Sequence, residues 1–134
     1  YALVEQMLKT EYQGHEKPFD MKNRSNETPL FLAVEKRNND IVDYLLEVGA
    51  DPNCQSSTKY DGPLHLAARL GLPNIVKTIC SYNSTNLNAT NARGHTPLLV
   101  AVMSHGLYDE DEEYIINNTQ TIQYLLKFGA DPLI

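Results

Sequence analysis

The chain has 134 residues, 11 basic and 17 acidic, for a formal net charge of −6, with two cysteines and no tryptophan. That length buries a real core in one modest unit, while the acidic balance excludes nonspecific nucleic-acid binding, which needs basic side chains to displace phosphate counterions. No apolar run approaches the roughly 20 residues of a bilayer-spanning helix, and nothing reads as a signal peptide.

Taken from the start, Ala2 to Lys9 has the pattern of a short helix with Gly14 near its end, so residues 1–22 read as a partial or divergent unit. Thr28-Pro29 then opens a helix: Thr is a natural N-cap, and Pro at the first helical position gives up an N–H that has no helical partner. Leu30, Ala33 and Val34 form its apolar stripe. Asn38-Asn39-Asp40 makes a turn and cap. Ile41, Val42, Leu45, Leu46 and Val48 make a second, more apolar helix, closed by Gly49 in a left-handed C-cap. Asp51 to Asp61 is polar and extended.

The pattern then returns. Thr28-Pro29-Leu30-Phe31-Leu32-Ala33 recurs as Gly62-Pro63-Leu64-His65-Leu66-Ala67 and as Thr96-Pro97-Leu98-Leu99-Val100-Ala101, at an interval of 34 residues. Gly49-Ala50-Asp51-Pro52 returns as Gly129-Ala130-Asp131-Pro132, with Asn83-Ser84-Thr85-Asn86 in the same place in the middle unit. The middle unit carries Leu64, Leu66, Ala67 and Leu70, then a helix opened by Pro73 with Ile75, Val76 and Ile79. Neither helix pair folds alone; stacking supplies the missing half of each core.

These residues resemble the ankyrin repeat family. The resemblance implies an all-α solenoid of stacked helix–turn–helix units joined by projecting β-hairpin loops. The expected division is one domain over 1–134: a partial unit at 1–22, repeats at 23–55 and 56–88, and a repeat at 89–134 with an acidic insertion at about 106–118. The whole reads as a segment of a longer array.

That insertion separates the third unit's first helix, ending near His105, from its second, Thr121 to Phe128, and carries five consecutive acids, Asp109, Glu110, Asp111, Glu112 and Glu113. Loops tolerate length at small entropic cost. Two readings stay open, a solvated loop and an acidic arm that contacts a basic partner.

Little in the chain advertises catalysis. His15, His65, His95 and His105 form no close ligand pair, and neither Cys lies in a C-x-x-C motif. The acids of the insertion lack the alternating ligands and Gly of a calcium loop. His65 reads as a structural hydrogen bond at a hairpin base, and His95 as a hairpin-tip residue. Cys54 and Cys80 read as reduced thiols, one in a loop and one along a helix. The sequons at Asn23, Asn26, Asn83, Asn88 and Asn117 read as unglycosylated. The expectation is a protein with no enzyme activity, no metal and no cofactor.

The resemblance implies recognition along hairpin tips and the exposed face of the first helices. On this chain that face comprises Arg24, Ser25, Glu27, Glu35 and Lys36, then Lys59, Asp61, Arg69 and Leu70, then Arg93, His95, Met103 and Ser104. Arg69, Leu70, Arg93 and Met103 lead, because interface hot spots favour Arg and large apolar groups. Leu87 to Leu98, the insertion, and the helix Thr121-Ile122-Gln123-Tyr124-Leu125-Leu126 are together similar to the nuclear, zeta-type branch of inhibitor-of-NF-κB proteins. That finer resemblance implies an intracellular, nuclear transcription regulator docking onto Rel-homology dimers through protein contacts, without binding DNA itself or any membrane. The alternative is a cytoplasmic signalling scaffold with an unrelated protein partner.

Overall fold

The structure is a computed structural model that describes residues 21–24, 26–56, 60–110 and 113–133. The expected unit at 1–22 therefore lies almost wholly outside the described residues. The described residues form six helices: α1 (Pro29–Glu35), α2 (Asn39–Glu47), α3 (Pro63–Leu70), α4 (Pro73–Cys80), α5 (Pro97–Ser104) and α6 (Thr119–Phe128). Two short strands, β1 (Tyr108–Asp109) and β2 (Tyr114–Ile115), fall between α5 and α6.

The Thr-Pro starts act as their chemistry requires. Thr28 Oγ1 accepts from the Phe31 N–H and Thr96 Oγ1 from the Leu99 N–H, both at 3.3 Å. In the middle unit Gly62 has no hydroxyl to offer, and the cap is built from the other side. His65 Nδ1 accepts from the Gly62 N–H at 3.1 Å, so the ring proton sits on Nε2, which faces the His95 carbonyl at 3.0 Å as its donor. Burial holds the imidazole below its usual pKa, keeping it neutral for this dual role. One ring thus caps α3 and ties the second unit to the third. Asn38 caps α2 through Ile41 N–H at 3.2 Å, and Gly49 follows that helix at φ 102°.

Helices of 7 to 10 residues are too short to persist alone in water, so packing must hold them. The first helices α1, α3 and α5 stack in one layer and the second helices α2, α4 and α6 in the other. Between the layers Leu30, Val34, Val42, Leu45, Val76, Ile79 and Leu125 are fully buried. Ala33, Ala67 and Ala101 occupy the same place in each unit, where a small side chain lets helices approach closely. The outer side of the third unit stays open: Val102 and Leu126 are exposed, whereas their counterparts Val34, Ala68, Leu46 and Cys80 are buried by the neighbouring unit.

The projecting loops are pinched at their bases by backbone bonds rather than paired as strands among the described residues: Asn23 N–H to Glu27 carbonyl, Ser56 to Asp61, and Asn91 to His95, at 2.9–3.1 Å. Side chains bind them laterally instead. Asn26 Nδ2 donates to the Gln55 carbonyl at 3.1 Å, and Gln55 Nε2 donates to the carbonyls of Tyr60 and Thr90 at 2.8 Å, so three successive loops are threaded together.

The insertion is where the structure departs most from expectation. Its described residues on either side of 111–112 are paired with each other and with the helices rather than left as an open loop. Tyr108 pairs with Ile115 and Asp109 with Tyr114 in an antiparallel ribbon, closed by Gly106 N–H to Ile116 carbonyl and Ile116 N–H to Leu107 carbonyl, both at 2.8 Å. The pleat sends alternate residues to opposite faces. Inward, Asp109 pairs with Arg37 at 3.2 Å, and the Tyr114 hydroxyl donates to the Leu70 carbonyl at 2.8 Å. Outward, Tyr108 and Ile115 are exposed. Ile116 then packs over Gly71, and Asn118 is fully buried, its Nδ2 donating to the carbonyls of both Ala68 and Ala101 at 2.9 Å. The insertion is a strap running back across the ends of α3 and α1, and α6 starts at Thr119, two residues ahead of the expected Thr121.

Candidate functional site

A concave groove of about 450 Å3 opens between the second and third units. Four segments supply its lining. The loop before α5 gives Asn91, Ala92, Arg93 and His95; α5 gives Val100, Met103 and Ser104; and α3 gives Arg69. The strap adds Leu107, so the insertion forms part of one wall.

The loop's shape comes from Asn91. Its Oδ1 accepts from the N–H groups of Arg93 and His95, each at 3.0 Å, while its backbone bonds His95 and Gly94. This is the side-chain mimicry of a backbone turn that Asn performs well. Gly94 at φ 75° completes the reversal. Beneath the groove Asn91 Nδ2 donates to Asp61 Oδ1 at 3.0 Å, and Arg69 Nη1 forms an ion pair with Asp61 Oδ2. Burial alone would raise the Asp61 pKa, but the hydrogen bonds from Arg69 and Asn91 and the charge of Arg69 outweigh it and hold the carboxyl below its ordinary value. Asp61 is therefore an ionised hub at 2% exposure, joining α3 to the loop before α5.

Of the residues assigned from sequence, Arg69, Arg93, His95, Met103 and Ser104 come together in this groove. Three assignments need correction. Asp61 is buried beneath the surface, because two donors from neighbouring segments converge on it. Ser104 is also buried, at the end of α5, and contributes only to the groove floor. Asp109 is held by Arg37, its side chain 9% exposed, and so is no free contact for a basic partner. Leu70 is half-buried at the strap and lies outside the groove lining. Arg24, Glu35 and Lys36 are exposed on the first unit, away from the groove, and Glu27 accepts from Asn23 Nδ2 at 2.8 Å within its own loop. Glu110 and Glu113 are exposed on the strap. Ser25, Lys59, Asp111 and Glu112 lie outside the described residues.

Other reactive groups are quiet. Burial pushes the Cys80 thiol up to about 12, and the Cys54 thiol donates to Asp51 Oδ2 at 3.8 Å. Among the described residues no cluster of three or more His, Cys, Asp or Glu is arranged to hold a metal ion, and no helix is long and apolar enough to cross a membrane. Asn91, Arg37, Gly71, Tyr114, Ile116 and Asn118 build the groove and the strap, and none stood out from the sequence.

Comparison with known proteins agrees with this architecture. A family model described as ankyrin repeats (three copies) matches residues 2–56 and 48–134. The chain is similar to the Caenorhabditis elegans ANK repeat-containing protein nipk-1, at 43% identity over 135 residues, covering all of this chain and 22% of that protein. It is also similar to the human transient receptor potential cation channel subfamily A member 1, at 32% over 106 residues, covering 78% of this chain and 8% of the channel. A third similarity is to mouse NF-kappa-B inhibitor delta, at 34% over 88 residues, covering 63% of this chain and 26% of that protein. The chain thus spans about a quarter or less of each of these relatives.

Proposed function

Because the chain belongs to the ankyrin repeat family, and so is a protein–protein interaction module, we propose that it is a noncatalytic regulator of transcription acting on Rel-type transcription factors in the nucleus. The observation that carries the reading is the groove between the second and third units, whose lining holds both Arg93 and Met103. The partner class is supported by the likeness of Leu87 to Leu98 and the interrupted third unit to inhibitor-of-NF-κB proteins, and by the similarity to a mouse protein named as an NF-kappa-B inhibitor.

Binding of purified Rel-homology dimers is expected, and the double variant Arg93→Glu/Met103→Asp is expected to weaken it by at least ~10-fold, as loss of interface hot spots does. Both side chains project from the surface, so the fold is retained. Equal or absent binding by both proteins contradicts the reading. A second reading, a scaffold for an unrelated cytoplasmic partner, is favoured by the similarity, over 78% of this chain, to a protein named as a cation channel.

A further inference from the structure

Charge is distributed unevenly between this molecule and its groove. The chain carries −6 overall, yet the charged residues lining the groove are Arg69 and Arg93, with no Asp or Glu among them. Arg69 is already neutralised by Asp61 below. Arg93 is different: its guanidinium makes no ion pair or hydrogen bond among the described residues, while its backbone is fixed by Asn91. A single uncompensated cation therefore lines the groove, on a turn whose backbone is already held by hydrogen bonds before anything binds.

The same lining carries apolar side chains. Met103 and Leu107 are 55% and 56% exposed beside the buried Val100. Exposed apolar side chains flanking a cation ask for an occupant of the same two-part character, and Met adapts its shape to the one it receives.

We propose that the groove takes an extended acidic segment of a partner protein, with one carboxylate side chain forked by Arg93 and a neighbouring bulky apolar side chain seated on Val100, Met103 and Leu107. Arg presents paired donors in a planar fork that fits a carboxylate bidentately. A basic segment is rejected by Arg93, and a nucleic-acid backbone needs several cations where the groove offers one. The proposal rests on the reading of this face as an interaction surface and adds the chemistry of its occupant.

The test is a 15N-edited NMR titration of the chain with an acetylated, amidated hexapeptide holding two glutamates followed by leucine and phenylalanine. One analogue replaces both glutamates by lysine, and another replaces leucine and phenylalanine by alanine. The parent peptide is expected to shift amides of residues 91–95 and 100–107, and each analogue to bind at least ~10-fold more weakly. Arg93→Glu is expected to invert the preference, favouring the lysine analogue. Absent binding, shifts confined to other residues, equal binding of the lysine analogue, or an unchanged preference in Arg93→Glu overturns the proposal. Rel-homology dimers that fail to bind while the parent peptide occupies the groove remove the partner identity alone. Dimers that bind while the peptide does not occupy the groove remove the groove chemistry alone.

Discussion

Gly71→Ala is expected to destabilise the protein by about 2–3 kcal/mol, far more than a surface glycine in an ordinary C-cap, because two costs fall on one atom. The residue sits at φ 70°, where a side chain is strained, and a Cβ built there would lie 2.8 Å from Ile116 Cγ2. Relieving that overlap means lifting the strap, which also withdraws the Tyr114 hydroxyl from the Leu70 carbonyl and strains the Asn118 bridge between α3 and α5. Ile116→Ala alone is expected to cost about 2 kcal/mol, since Ile116 is buried. In the double variant the overlap is gone and the Gly71→Ala part of the cost shrinks to its backbone strain, so the total should fall below the sum of the singles by at least ~1 kcal/mol. Urea denaturation of the four proteins measures this. Strict additivity would mean that the two residues do not meet.

Asp61→Ala is expected to cost about 2–4 kcal/mol, the range for breaking a buried, hydrogen-bonded ion pair, at the lower end because the Arg69 side chain is 34% exposed and can reach water. The loss has two parts: Arg69 is left without its counter-charge, and Asn91 Nδ2 is left facing an apolar methyl. The acid dependence has a definite sign. The folded pKa of Asp61 lies below the ordinary value of 3.8, so the folded state binds fewer protons than the unfolded one through that window. The stabilisation by Asp61 is complete above 3.8 and is lost as pH falls through the lower folded value. Thermal melts from neutral to acid pH should therefore show wild type and Asp61→Ala converging in acid; a constant gap would mean that Asp61 titrates as it does in the unfolded chain.

What the sequence could reveal followed from how local each signal is. Thr28-Pro29, Thr96-Pro97, Gly49 and Gly129 set helix starts and stops through their own backbone preferences, so they are readable without a partner. The apolar stripes of Leu30, Ala33 and Val34, and of Val42, Leu45 and Leu46, carry the helical period that buries them. The groove was partly legible for the same reason: a repeated unit places Arg69 and Met103 at equivalent positions of successive helices, so their gathering follows from stacking.

The strap was not legible, because its structure depends on contacts far away in the chain. Asp109 in a run of acids looks solvated until Arg37, 72 residues earlier, is placed beside it. Gly71 looks like any helix-ending glycine until Ile116 lies over it, and Asn118 looks like loop filler until two helical carbonyls approach it. Asp61 misled for a related reason. A charged residue just before Gly62-Pro63 reads as surface, and only the convergence of Arg69 and Asn91 makes its burial tolerable.

The most direct measurement is native-state amide hydrogen exchange at Gly106 and Ile116, whose N–H groups close the ribbon at 2.8 Å. A strap clamped to the stacked helices predicts protection at both amides comparable to that of α5, and its loss in Gly71→Ala. Exchange at both amides as fast as in an unstructured peptide would contradict the docked strap and, with it, the groove wall that Leu107 supplies.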